Sequence, residues 1–137
     1  MAAGQGETVR GGVAALWGDA RAVGGLLVCA ASFIGGYFIR YSFVEPEAMG
    51  AACERTHPWW CPVRTGFIMF TEWGGFGWLS MALALLAVWS LTKGNTGRAR
   101  WICLIAMVTS GLGMILYNSS MSAPAAILAL ICLIRAR

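Results

Sequence analysis

Four long apolar runs occupy most of this chain and restrict its fold more than any other feature. They cover residues 22–39, 66–91, 101–117 and 123–134. Glu72 is the only charged residue inside any of them. Because a helix needs roughly 20 apolar residues to cross a bilayer core about 30 Å thick, three of the runs reach or approach that length. The fourth becomes long enough if its helix begins at Ser120 and covers 120–134. The sequence therefore predicts an all-α integral membrane bundle of four helices, formed by residues 1–137 as one domain.

The composition agrees with a membrane protein and leaves little chain for a soluble catalytic domain. Hydrophobic residues make up 58% of the chain and charged residues 12%, whereas soluble domains carry about 25% charged residues. Only one segment outside the apolar runs is sizeable, the loop at 41–64. We find no nucleotide-binding loop, paired carboxylates or nucleophile with a nearby base. We therefore expect no self-contained catalytic site.

The distribution of basic residues predicts the orientation in the membrane. With the N-terminus in the cytoplasm, seven basic residues would lie on that side: Arg10, Arg21, Lys93, Arg98, Arg100, Arg135 and Arg137. The loop at 41–64 and its border would carry three: Arg40, Arg55 and Arg64. The positive-inside rule then places both termini in the cytoplasm. We expect a bacterial inner membrane, with this loop in the periplasm. The basic residues form no patch interleaved with aromatics, so nucleic acid is not an expected partner.

The segment before the first apolar run has two interpretations. Val9, Val13, Leu16 and Trp17 recur at helical spacing, which predicts a short amphipathic helix in the membrane interface. Several nearby glycines favour the alternative, a flexible lead-in to the first span.

Small residues recur on one face of the predicted helices. In the first two helices these packing faces consist of Gly25, Ser32, Gly36, Gly77, Ser80 and Ala84. Small side chains let neighbouring membrane helices approach closely, so these faces are predicted seams of a compact bundle.

Cys53, His57 and Cys61 mark the outer loop as the place where chemistry is possible. Two cysteines in an oxidising compartment predict a disulfide that closes a small loop. A metal site is the alternative because the three residues are evenly spaced, but Pro58 disfavours the helix that would align them, and a fourth ligand would be needed. A redox-active pair is a third possibility.

Glu72 is the most unusual residue, because a carboxylate in the membrane is usually buried, paired or functional. One interpretation is a structural group that pairs with Arg40 or Arg64, or hydrogen-bonds with Tyr117 or Asn118. The other is a proton or cation relay, or a polar anchor toward a second subunit.

Three functions remain open on these observations. We favour a small non-catalytic accessory or assembly subunit of a larger inner-membrane complex. The first alternative is a small oligomeric transporter or channel that uses Glu72. The second is a metal or redox protein that acts through Cys53, His57 and Cys61. We expect membrane lipids, other integral membrane subunits or further copies of the chain as partners, with bound lipids and no cofactor.

Overall fold

The computed structural model describes residues 17–136 and contains six α-helices in that range. In chain order they are α1 (Ala20–Ile39), α2 (Glu47–Thr56), α3 (Cys61–Glu72), α4 (Gly75–Thr92), α5 (Thr96–Ile115) and α6 (Ser119–Arg135). A π-helical turn, Arg40–Val44, continues α1. The predicted amphipathic helix falls on residues 9–17 and lies, except for Trp17, outside the described residues.

The four longest helices, α1, α4, α5 and α6, form one bundle in which α5 packs against the other three. Side-chain hydrogen bonds show which helix ends lie together. Arg21 at the start of α1 and Arg100 near the start of α5 both donate to the Ala136 carbonyl after α6. Arg40 after α1 donates to the carbonyl of Ile115, the last residue of α5. The helices therefore alternate in direction. We call the end with Arg21 and Ala136 the terminal end and the opposite end the loop end.

Among the described residues, three helical segments are long and apolar enough to cross a membrane. They are Ala20–Val44, Gly75–Thr92 and Thr96–Ile115. The fourth bundle helix, α6, is a shorter apolar helix of 17 residues, which at 1.5 Å per residue is roughly 25 Å long. The chain is thus an all-α bundle with membrane-span candidates, which is consistent with a membrane protein.

Small side chains fill the centre of the bundle. The predicted packing residues Gly25, Gly36, Gly77, Ser80 and Ala84 are all buried. Ser32 is half-buried, and its hydroxyl donates to the Val28 carbonyl within α1 at 2.8 Å. These faces pack against other helices of the same chain: a Cβ at Gly25 would lie 2.8 Å from Leu133 Cδ2, and one at Gly77 would lie 2.9 Å from Met121 Cβ.

The backbones of α1 and α5 approach closely at Gly111, where the two helices cross. A Cβ at this position would overlap the Cys29 carbonyl oxygen and lie 2.8 Å from Ser32 Cβ and 3.1 Å from the Phe33 amide nitrogen. Because two of these atoms belong to the α1 backbone, no side-chain rotation could make room. The approach of α1 to α5 therefore requires glycine at 111.

The predicted continuous helix at 66–91 is wrong, because the chain breaks at Trp73 and Gly74. The helix α3 ends at Glu72, and α4 begins at Gly75. Gly74 has φ +80°, a left-handed conformation that glycine adopts without steric cost and that ends a helix. Ring contacts of Phe76 with Phe67 and Phe70, at 5.8 Å and 5.1 Å between centroids, join the two helices across this elbow.

The predicted loop at 41–64 is also largely helical. It contains most of the π-helical turn, all of α2 and the first residues of α3. Alternation of long apolar runs with polar segments identifies spans, but it does not distinguish an irregular loop from short polar helices. The remaining spans differ only at their ends, since α5 begins at Thr96 and α6 at Ser119.

Candidate functional site at the loop end

A disulfide joins the two short helices of the loop end into a hairpin. Cys53 in α2 and Cys61 at the start of α3 have Sγ atoms 2.08 Å apart and Cα atoms 5.7 Å apart. These distances are those of a disulfide, as the sequence predicted. His57 follows the last residue of α2 and has φ 42°, a left-handed conformation that turns the chain between the helices. We call residues 47–72, with α2, α3 and this turn, the cap.

Arg64 attaches the cap to the end of α1. Its guanidinium donates from Nε to the Phe43 carbonyl at 2.9 Å and from Nη2 to the Val44 carbonyl at 2.7 Å. Carbonyls at a helix C-terminus have no partner within the helix, so a cation there gives charge-assisted hydrogen bonds. The Phe43 and Trp60 rings also lie 6.3 Å apart between centroids. The disulfide therefore bridges the cap internally, while the polar contacts of Arg64 and the aromatic contact of Trp60 hold it against the end of α1.

A second polar cluster connects α1 to the turn between α5 and α6. Arg40 Nε donates to Glu45 Oε1 at 2.7 Å, and the Tyr117 hydroxyl donates to the same oxygen at 2.9 Å. The Arg40 guanidinium also lies 4.1 Å from the centroid of the Tyr117 ring. The hydrogen bond from Arg40, followed by that from Tyr117, lowers the pKa of the Glu45 carboxyl. The same bond to Glu45 raises the pKa of the Tyr117 phenol.

Glu72 does not have the partners that the sequence suggested. Arg40 and Tyr117 bind Glu45, and Arg64 binds main-chain carbonyls. Asn118 is buried, and its Nδ2 is 3.4 Å from the carbonyl oxygen of Thr71, next to Glu72 in sequence. The reason is the elbow: α3 ends at Glu72, so the carboxylate is exposed at the loop end and lies outside α4. The transporter hypothesis required Glu72 inside a span, and this position does not provide it.

The metal hypothesis loses two of its three ligands. Both Cys53 and Cys61 are joined in the disulfide and offer no thiolate, while His57 is exposed on the turn. Within residues 17–136, no group of three His, Cys, Asp or Glu side chains is placed to hold a metal ion. The three evenly spaced residues Cys53, His57 and Cys61 therefore form a disulfide-bridged turn between two helices.

The cap has an open groove and an aromatic surface. The groove has a volume of about 650 Å³ and is lined by the disulfide, the turn at 57–59 and the start of α3. Trp59 is 84% exposed at its edge, and Trp73 at the elbow is 79% exposed. Val63, Met69 and Phe70 on α3 are exposed as well. Large apolar side chains exposed together mark a surface that contacts another protein or the membrane.

Sequence reasoning missed Glu45 and the role of Arg64 in this region. Glu45 lies five residues after Arg40, and one π-helical turn brings the two side chains together. Nothing in the sequence pattern identifies a π-helical turn, so this pairing had no usable signal. For Arg64 a signal existed, since a cation near the start of one helix can bond the C-terminus of a neighbouring helix.

Comparisons of the chain with protein-family models, with curated proteins and with solved structures found no match.

Proposed function

We propose that this protein is a four-helix integral membrane protein that serves as a non-catalytic accessory or assembly subunit and recognises its partner through the cap. The observation that supports this most strongly is the construction of the cap. Its two short helices are bridged by the disulfide and attached to the bundle through Arg64. Exposed tryptophans lie on the turn between them, at Trp59, and on the elbow just after them, at Trp73. A rigid surface with exposed aromatic side chains loses little entropy when it binds, which favours recognition.

The membrane part of the proposal is supported by helix length and by charge. The helices α4 and α5 contain 18 and 20 residues, roughly 27 and 30 Å, which matches a bilayer core. The described cations at the terminal end are Arg21, Lys93, Arg98, Arg100 and Arg135, and those at the loop end are Arg40, Arg55 and Arg64. The positive-inside rule then puts the terminal end in the cytoplasm and the cap in the periplasm of a bacterial inner membrane.

The small-residue faces of the helices pack inside the bundle, which favours the cap as the binding surface. Gly25 and Gly36 on α1 face α6 and α5, and Gly77 on α4 faces the start of α6. Since these seams are filled by helices of the same chain, they are not available as docking faces for a second protein. A partner must therefore bind the remaining exposed surface, of which the cap is the part outside the bundle.

Two matched tryptophan substitutions test the proposal. Trp59→Ala changes the cap, and Trp101→Ala changes a tryptophan at the opposite end that is 71% exposed. The tagged chain, purified from native membranes in mild detergent, should retain a stoichiometric partner. We expect Trp59→Ala to weaken retention by about 2 kcal/mol or more, roughly 30-fold, as for a tryptophan central to an interface. Trp101→Ala should retain the partner.

Three results would refute recognition through the cap. They are equal retention by both variants, loss only with Trp101→Ala, and recovery of the chain as a monomer. Recovery as a homo-oligomer would contradict the accessory role, because the partner would then be a second copy of the chain. Variants should show wild-type elution and helix content, so that loss of the partner is not loss of the fold.

A further inference from the structure

A narrow groove at the terminal end runs between α1, α5 and α6 and has two arginines at its mouth. Its volume is about 260 Å³, and its lining consists of Arg21, Gly24, Gly25, Arg100, Leu104 and Leu133. The groove thus combines a cationic opening with an apolar wall.

The two guanidinium groups converge on one main-chain oxygen. Arg21 Nη1 is 3.3 Å from the Ala136 carbonyl oxygen, and Arg100 Nε is 3.0 Å from the same atom. A guanidinium has five N–H donors, and this contact uses one from each arginine. Remaining donors of both groups are therefore held close together and can bind a second acceptor. Two arginines arranged in this way suit the oxygens of a phosphate.

The apolar wall owes its shape to the two glycines of α1. A Cβ at Gly24 would meet no atom within 4 Å, so the groove is open at this position. A Cβ at Gly25 would lie 2.8 Å from Leu133 Cδ2, so the groove has its floor there. The space beside Leu104 and Leu133 can take the apolar part of a ligand whose charged group lies at the arginines.

We infer that this groove binds an anionic phospholipid, with the headgroup phosphate between Arg21 and Arg100 and the start of an acyl chain along the glycines. The charge at this end supports an anionic ligand, because its described residues include five cations and one acid, Asp19. Exposed Trp17 and Trp101 lie at the same end, as tryptophans at headgroup depth do. Basic pockets between helices on the cytoplasmic side bind anionic headgroups. The inference uses the membrane placement proposed above but not the partner.

Lipid titration of the purified full chain tests the inference. Native mass spectrometry measures retention of phosphatidylglycerol and phosphatidylcholine by the wild type and by two double variants. Arg21→Gln/Arg100→Gln removes the cations of the groove, and Lys93→Gln/Arg98→Gln removes two cations from the same end outside the groove. We expect the first pair to lose phosphatidylglycerol about tenfold more than the second, because only the first holds the phosphate directly.

A third variant keeps both arginines. Gly24→Leu fills the open part of the groove without changing the charge, and it should also reduce phosphatidylglycerol retention. Equal losses for the two double variants would show diffuse attraction and overturn the site, as would equal retention of the two lipids. Displacement of the lipid by an equal concentration of inorganic phosphate would assign a simple anion site instead.

The amount of chain recovered in the membrane fraction separates this inference from the proposed function. A chain that is absent from membranes refutes the membrane placement. A chain that is present there but does not discriminate between lipids refutes the lipid site alone.

Discussion

Gly111→Ala should destabilise the bundle strongly, although it adds a single methyl group. The new Cβ would overlap the Cys29 carbonyl oxygen and lie 2.8 Å from Ser32 Cβ. Carbon atoms in contact prefer about 3.5–4.0 Å, so α1 and α5 must separate by roughly 1 Å. The obstacle includes main-chain atoms of α1, so the helix must move as a unit.

The expected cost follows from this displacement. A radial gap of roughly 0.5–1 Å forfeits a quarter to a half of the dispersion energy of the atoms that face it. Adding methylenes to a well-packed core costs about 1–3 kcal/mol. Because the obstruction is backbone, we place Gly111→Ala at about 2–3 kcal/mol. In a membrane this loss has no compensation from the hydrophobic effect, since packing itself holds the helices together.

Reversible unfolding in mixed micelles with increasing sodium dodecyl sulfate measures this free energy. Gly35→Ala is the matched control, because it lies on α1 and its Cβ would meet nothing within 4 Å. The control should be at least as stable as the wild type, and up to about 1 kcal/mol more stable, because alanine favours a helix over glycine. A loss below about 0.5 kcal/mol for Gly111→Ala, within the range of ordinary surface changes, would refute the close approach of α1 and α5.

Three further predictions concern the loop end. In a variant without Cys29, Cys103 and Cys132, maleimide should label Cys53 and Cys61 only after reduction, and labelling before reduction would contradict the disulfide. Removing the bridge should lower the free energy of unfolding of the cap by about 2–3 kcal/mol. A reporter active only outside the cytoplasm should work when inserted at Met49 and fail when fused after Arg137, and the reverse pattern would invert the topology. Glu45→Gln should lower the thermal midpoint at neutral pH, and its difference from the wild type should shrink as pH falls below the ordinary glutamate range near 4.3. The sign follows because the lowered pKa of Glu45 gives stability that is present above that range and is lost as the carboxyl becomes protonated; a difference independent of pH would exclude this role.

The bundle was predictable from the sequence because its signals are local and periodic. Apolar runs of membrane length and small residues at helical spacing identify helices and the faces that they bury, as at Gly25 and Ala84. The disulfide was predictable for a similar reason, since Cys53 and Cys61 are close in sequence. The proposed orientation comes from charge counts alone and still requires the reporter experiment.

The elbow and the polar contacts were not predictable, because each depends on one backbone conformation. Membrane helices tolerate glycine, so Gly74 and Gly75 were consistent with both a continuous helix and a break. The left-handed φ of Gly74 decided between them and moved Glu72 out of the bundle. Likewise, the π-helical turn after α1 brings Glu45 to Arg40, which leaves Glu72 without its expected partner.

Arginines at both ends of the bundle bond to main-chain carbonyls, with different consequences. At the loop end, Arg64 gives two donors to carbonyls that no longer have helical partners, and it also holds the cap, so its contacts are structural. At the terminal end, two arginines share one carbonyl oxygen beside an open groove, which keeps donors for a ligand. The same residue type therefore fixes the proposed recognition surface at one end and lines the proposed lipid groove at the other. Conservative replacement should separate these roles: Arg64→Lys would keep the charge but lose the paired contacts to Phe43 and Val44, because an ammonium cannot reproduce the planar arrangement of donors.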